Sequence, residues 1–273
     1  MSEERLRAVV LVDALDEKTY GGKCVSLGFA LRAGLPVPPG YALGVELVNA
    51  LAAGDCSAAA VVSPVFSDLA PTVAVRSSAV GEDSVEASFA GQHLSVLNVM
   101  SAESMLEAIK KVHASAFTEE AIAYRHRMVV KGEPAIAVAI QKQIHSDVAG
   151  VMFTKNPLSG AEERYIEGSW GLGEAVVAGM VVPDSYRISA TGDILEQVLG
   201  EKDVELVANS LGDTIEQSVD EQRVSSLCLG PPELEKLHGL ALDCEAIYGE
   251  GLDIEWAFHS GRLYLLQCRS ITH

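Results

Sequence analysis

Residues 252–270 read LDIEWAFHSGRLYLLQCRS. Alternation puts Ile254, Trp256 and Phe258 on one strand face and Asp253, Glu255 and Ala257 on the other. Ser260-Gly261 is a hairpin turn signal. A three-residue loop at 260–262 sets Glu255 opposite Gln267 and Asp253 opposite Arg269. It also places Leu263, Leu265, Gln267 and Arg269 on one face, with Tyr264, Leu266 and Cys268 on the other. Two carboxylates, an amide and an arginine framed by Ile, Trp and Leu suggest a polar site in an apolar setting, since buried charge requires partners. Carboxylate and amide oxygens suit a hard cation such as Mg²⁺, and arginine suits phosphate. An exposed hairpin face with a cross-strand Asp–Arg pair is the plainer alternative.

The chain has 273 residues, enough for one large domain or two lobes. Lys and Arg total 20 against 38 Asp and Glu, a net charge of −18, which argues against a general nucleic-acid or anionic-membrane binder. Any nucleotide site must therefore gather its cations locally. The first residues, MSEERLRAVVLVDALDE, lack an apolar signal core, and no apolar run approaches spanning length. Five cysteines without a CxxC pair indicate reduced thiols, no zinc site and a cytoplasmic setting.

Ala8–Asp13 reads as a strand. Gly21-Gly22-Lys23 then offers open backbone and a cation ahead of a helix that ends near Gly34, although it also fits an ordinary loop and helix start. Val45–Ala53 is an amphipathic surface helix, and the Ala/Ser-rich stretch after it reads as linker. A strand from Thr72 ends on Arg76, and residues 77–91 form a long small-residue loop of the kind that closes over phosphate. Gln92–Val99 returns as a strand, and Ala102–Val130 is helical by period. His113 and His126 read as helix-surface residues. Strands follow at 135–144, 147–154 and 164–167, with Gln141 placed either to meet a ligand edge or as an ordinary strand-end glutamine. Gly171 and Gly173 lack the third glycine of a dinucleotide fingerprint, so a Rossmann fold is rejected. A hairpin spans 185–198, residues 200–230 have no clear pattern, and Pro232–Tyr248 is a helix with Leu234, Leu237, Leu240, Leu242 and Ile247 inward.

These stretches together resemble the N-terminal ATP-binding module of the phosphoenolpyruvate synthase, pyruvate phosphate dikinase and rifampicin phosphotransferase family. The likeness rests on GGK at 21–23, GLPVPPGY at 34–41, VRSSA at 75–79, SFAGQ at 88–92 and LNV at 97–99. It continues through IAYR at 122–125, GVMFTKNP at 150–157, GLGEAVV at 171–177, DIEW at 253–256 and LYLLQCRS at 263–270. The resemblance implies an α+β ATP-grasp fold, with a lobe at 1–140, a second at 141–273 and nucleotide between them. It implies that Lys23, Arg76 and Arg269 bind the phosphates and carry catalysis, and that Gly91 and Ser95 lie over them, Ser95 standing where relatives often have Thr. It further implies Gln141 at the adenine hinge, Asp253 toward ribose, and Glu255 and Gln267 on Mg²⁺.

The implied activity uses ATP and Mg²⁺ and passes the β-phosphate to a histidine on a separate domain, releasing AMP and phosphate. None of the seven histidines sits in the family's Thr-Ser-His carrier motif. The phosphohistidine is therefore expected in trans or on a C-terminal continuation. Two other readings stand beside this one: a nucleotide-binding scaffold subunit that performs no transfer, and an ATP-grasp ligase that makes an acyl-phosphate and ADP.

Overall fold

The computed structural model describes residues 6–81, 94–127 and 133–271. Its strands form two large antiparallel sheets and one separate hairpin. The first sheet has the order β1-β2-β5-β3-β4, from β1 (Ala8–Val10), β2 (Gly40–Leu43), β3 (Val73–Ala79), β4 (Ser95–Val99) and β5 (Ile136–Lys142). The second has the order β13-β12-β6-β7-β8-β9. Its strands are β6 (Val148–Phe153), β7 (Glu163–Trp170), β8 (Asp184–Ser189), β9 (Ile194–Val198), β12 (Leu252–His259) and β13 (Arg262–Ser270). Antiparallel sheets covered by helices make the fold α+β, as expected. Residue 140 lies inside β5, and the first sheet runs on to Lys142.

On one face of the first sheet, Val73, Val75, Val138 and Ile140 meet α2 (Val45–Ala52), α3 (Cys56–Leu69) and α4 (Ala102–Ser115). The expected linker after residue 53 is in fact α3. Asp55 caps it by accepting from the Ser57 and Ala58 amides, and Ala58, Val62, Val65 and Leu69 form a buried helical stripe. Pro64 lies inside the helix. The expected helix over 102–130 is broken after Ser115, and α5 covers Glu119–Arg127. His113 packs on the surface of α4 against Asn49, and the His126 side chain lies outside the described residues.

The second sheet is backed by α8 (Pro231–Tyr248), which buries Leu234, Leu237, Leu240, Ala241 and Cys244. Leu242 is 46% exposed rather than inward, because it sits a step off that stripe. The strand expected at Ala8–Asp13 keeps only three residues before a 3-10 turn buries Leu11. The unassigned stretch 200–230 contains a hairpin, β10 (Val204–Ala208) and β11 (Thr214–Ser218), that belongs to neither sheet. Between them and α8 comes a short helix, α7 (Glu221–Val224). Among the described residues, no single helix is long and apolar enough to cross a membrane.

Candidate functional site

β3 reads VAVRSSA, and its period-2 alternation sorts it cleanly. Val73 and Val75 enter the helix-covered core, while Ala74, Arg76 and Ser78 face the opposite side beside Gln141, Ala139 and Ala137 of β5. Ser95 of β4 is the register partner of Arg76. The strand continues to Ala79 rather than ending on Arg76, so Arg76 stands mid-strand and buried.

Arg76 spans the gap to the second sheet. Its Nη2 donates to Glu255 Oε2 at 2.9 Å and its Nη1 to the Leu266 carbonyl at 2.9 Å. That carbonyl is available because the terminal hairpin contains a bulge. Ser260-Gly261 closes β12 and β13 as a two-residue turn with His259 opposite Arg262, and Trp256 pairs with Leu265. Glu255 then pairs with Gln267, and Asp253 with Arg269, leaving Leu266 as the extra residue. The expected site-end register therefore holds, but the expected three-residue loop does not. The bulge also corrects the faces. Leu263 and Leu265 join Cys268, Ile254, Trp256 and Phe258 in the core, while Gln267 and Arg269 share the cleft face with Glu255 and Asp253.

The GGK segment lies within α1 (Glu17–Arg32), which breaks at Gly21 (φ 72°, ψ 165°). A Cβ there would lie 2.1 Å from the Ser78 carbonyl oxygen, so only glycine fits. Ser78 Oγ closes the break: it accepts from the Cys24 amide at 3.0 Å and donates to the Tyr20 carbonyl at 2.8 Å. This hydroxyl, in the stretch read as a phosphate-covering loop, is used in holding the kink that brings Lys23 to the cleft.

Lys23, Arg76, Ser95, Asp253, Glu255, Gln267 and Arg269 line one cavity of about 500 Å³. Gln141 lines an adjoining narrow recess with Pro38, Ala74, Leu97 and Leu172. It donates to the Pro38 carbonyl at 3.4 Å. Arg76, Gly173, Glu174 and Leu266 form walls common to both spaces. Gly91 lies outside the described residues, as does the SFAGQ stretch. Glu174, at the start of α6 (Glu174–Val177), and Glu167 also line the cavity, although the sequence reading named neither as a site residue. The GLGEAVV motif was the available signal for Glu174.

Among the described residues the cavity thus sets Lys23, Arg76 and Arg269 against Glu167, Glu174, Asp253 and Glu255. Burial raises the Glu255 carboxyl, but Arg76, Lys23 and Arg269 outweigh it and hold the group below its usual range. Burial pushes Asp253 up, partly offset by Arg269, whose Nε and Nη2 both reach Asp253 Oδ2 at 2.9 and 2.7 Å. Burial also raises Glu174, against the pull of Arg76 and with the push of Glu255.

The family described as pyruvate phosphate dikinase, AMP/ATP-binding domain, matches residues 57–273. The chain belongs to that family. A probable phosphoenolpyruvate synthase of Methanocaldococcus jannaschii is 32% identical over 98% of this chain and 27% of its own length. The prodigiosin synthesizing transferase PigC of Serratia marcescens is 34% identical over 94% of this chain and 32% of its own length. The chain thus spans roughly a third of these relatives. A D-alanyl-alanine synthetase A structure from Vibrio cholerae aligns with TM-score 0.41 and 12% identity, covering 93% of this chain and 56% of that one.

Proposed function

We propose that the chain is the ATP-binding, phosphoryl-donating part of a dikinase-type phosphotransferase, with an ATP-grasp arrangement of two lobes, 1–140 and 141–273, around the nucleotide. The observation that carries this reading is the convergence of Lys23 and Arg76 with the Asp253, Glu255, Gln267 and Arg269 quartet on one cavity. Lys23, Arg76 and Arg269 offset the polyphosphate charge and orient the chain of phosphates, and Ser95 adds a hydroxyl beside Arg76. Gly91 is a further candidate for contact with the phosphates. The recess lined by Gln141, Leu97 and Leu172 receives the base, and Asp253 faces the ribose.

Glu255 and Gln267 are the residues that would hold Mg²⁺. Their oxygens fit a hard cation, and Glu255 is kept ionised by its surroundings. Among the described residues, no group of three or more His, Cys, Asp or Glu gathers as a metal site. This fits an ion bound by one or two protein oxygens and completed by phosphate. When bound, Mg²⁺ supplies charge neutralisation along the phosphates. Glu255, now paired with Arg76, is one of the two residues that would hold it.

For the β-phosphoryl to end on histidine while AMP and phosphate leave, an N–P bond forms at the β-phosphorus as its bond to the α–β bridging oxygen breaks, that oxygen leaving with AMP, and water cleaves the β–γ link by adding its oxygen to phosphorus as the bridging P–O bond breaks and phosphate leaves. One water is consumed. The chain's residues hold ATP for attack, and the histidine comes from a separate domain or subunit. M. jannaschii phosphoenolpyruvate synthase and PigC carry different names at similar identity, which supports assigning acceptor choice to segments outside this module. The setting is cytoplasmic on this reading.

The test is thermal unfolding with Mg²⁺ plus ATP. A ligand at 100 times its Kd stabilises by about 2.7 kcal/mol, a shift of a few degrees. The shift should vanish with chelator and in Glu255→Ala, and AMP should form when a histidine domain is added. Binding without AMP formation would favour the scaffold reading, while ADP with an acyl product would favour the ligase.

A further inference from the structure

Asn98 and the β10–β11 hairpin have no part in the proposed chemistry, yet they are joined. Asn98 lies in β4, is 1% exposed and has φ 55°. Among the described residues, only Ser260 shares a positive φ outside glycine. Asparagine is one of the few side chains that adopt this conformation readily. The β3–β4 register shifts here: Val75 pairs with Val96, but Val73 pairs with Val99. The irregularity turns the Asn98 amide out of the sheet. Its Nδ2 donates to two carbonyls of the β10–β11 turn, Asn209 O at 2.9 Å and Asp213 O at 2.8 Å.

That turn is itself hydrogen-bonded internally. Asn209 Oδ1 accepts from the Leu211 and Asp213 amides, both at 2.9 Å. The middle of β10 is tied to the second sheet's wall of the cavity. The Leu172 amide donates to the Leu206 carbonyl at 2.9 Å, and Gly171 bridges to Leu206. Gly171 has φ 76°, and a Cβ on it would lie 2.5 Å from Leu206 O, so the close approach requires glycine. Leu172, Gly173 and Glu174 follow at once and line the recess.

We propose that Asn98 is a positioning residue: its amide latches the β10–β11 hairpin to the first sheet, and the hairpin thereby sets the separation of the two cavity walls. The latch reads carbonyl acceptors, so it needs a neutral amide. Asn98→Asp keeps size and tolerance of positive φ but turns a carboxylate toward two carbonyl oxygens. A second variant replaces residues 209–213 with Asn-Gly, which leaves Asn98 intact and withdraws both carbonyls.

Spin labels would go on Cys56, the exposed cysteine on α3, and on Leu158→Cys in an exposed turn of the second sheet. Pulsed dipolar spectroscopy without nucleotide should give one narrow distance distribution for the parent. It should be broadened or lengthened in both variants, with far-UV circular dichroism unchanged. Unchanged distributions in both variants would overturn the latch. Broadening in Asn98→Asp alone would also overturn it, since the effect would then come from β4. Mg²⁺-ATP affinity should fall about tenfold in both. That arm rests on the proposed nucleotide site, whereas the apo distances do not.

Discussion

Glu174 illustrates how a cavity-lining carboxylate opposes the fold that carries it. Burial raises its pKa, Arg76 pulls it back and Glu255 pushes it up again. A carboxyl whose folded pKa exceeds the unfolded value, near 4.3, favours the folded state fully below that unfolded value. The contribution is lost as pH rises through the folded pKa. Glu174→Gln should therefore raise stability at pH 7–8 by about 0.5–2 kcal/mol, the range of a typical stabilising change. The gain should disappear below about pH 4, where both side chains are neutral. Urea unfolding at the two pH values checks this, and a gain of equal size at both would assign it to packing. Glu255 has the opposite sign. Its lowered pKa contributes stability above the unfolded value, and this is lost as pH falls through the folded one.

At the scale of the element, the terminal hairpin turns on its extra residue. With Leu266 removed, Leu265 stays on the core face, Gln267 follows on the cleft face opposite Glu255, and Cys268 returns to the core. The bulge is therefore not needed to sort side chains. It presents the Leu266 carbonyl to Arg76, joining the two sheets. Deleting Leu266 should leave a paired hairpin and a folded chain, losing about 0.5–1.5 kcal/mol for the missing hydrogen bond. Mg²⁺-ATP affinity should fall more than that loss implies, because Arg76 would be held by Glu255 alone of its two anchors. Calorimetric titration against the unfolding curve separates the two effects. Equal losses would mean that the bulge serves packing only.

For the whole molecule the critical element is α1. Cys24, Leu27 and Ala30 pack in the cluster built on the second sheet, while the kink before them is stitched to β3 of the first. One helix thus ties both halves together and carries Lys23 into the gap. Gly21→Ala meets the Ser78 carbonyl and a positive φ at once. Such a strained, overpacked site should lose about 3 kcal/mol or more. Gly34→Ala also carries a positive φ, 85°, but meets open space. It should lose about 1 kcal/mol, the strain of a left-handed residue without a clash. Chemical denaturation of the pair measures the difference, and equal losses would show that the kink tolerates a Cβ.

The sequence by itself determined whatever rests on local pattern. Alternation placed Asp253 and Glu255 on one face, the polar quartet marked the cleft side of β13, and the 3.6 period found α2, α4 and most of α8. Local pattern singled out Asp253, Glu255, Gln267 and Arg269 on the hairpin and offered Lys23 and Arg76 as candidates, whereas Ser95 came only from the family resemblance; the cavity gathers all seven. Tertiary structure decided the rest. A one-residue bulge leaves the polar pairing unchanged while reversing the face of Leu263 and Leu265, so no period reveals it. Ser78 and Asn98 are spent on partners 54 and 111 or more residues away, and only the folded chain selects those partners. The β10–β11 hairpin escaped notice although its Leu211-Gly212-Asp213 turn repeats the Thr191-Gly192-Asp193 signal. The exposed β11 holds too few apolar residues to show a period, and the hairpin is held by a pair of hydrogen bonds at its turn and by one from the Leu172 amide to Leu206 in mid-strand.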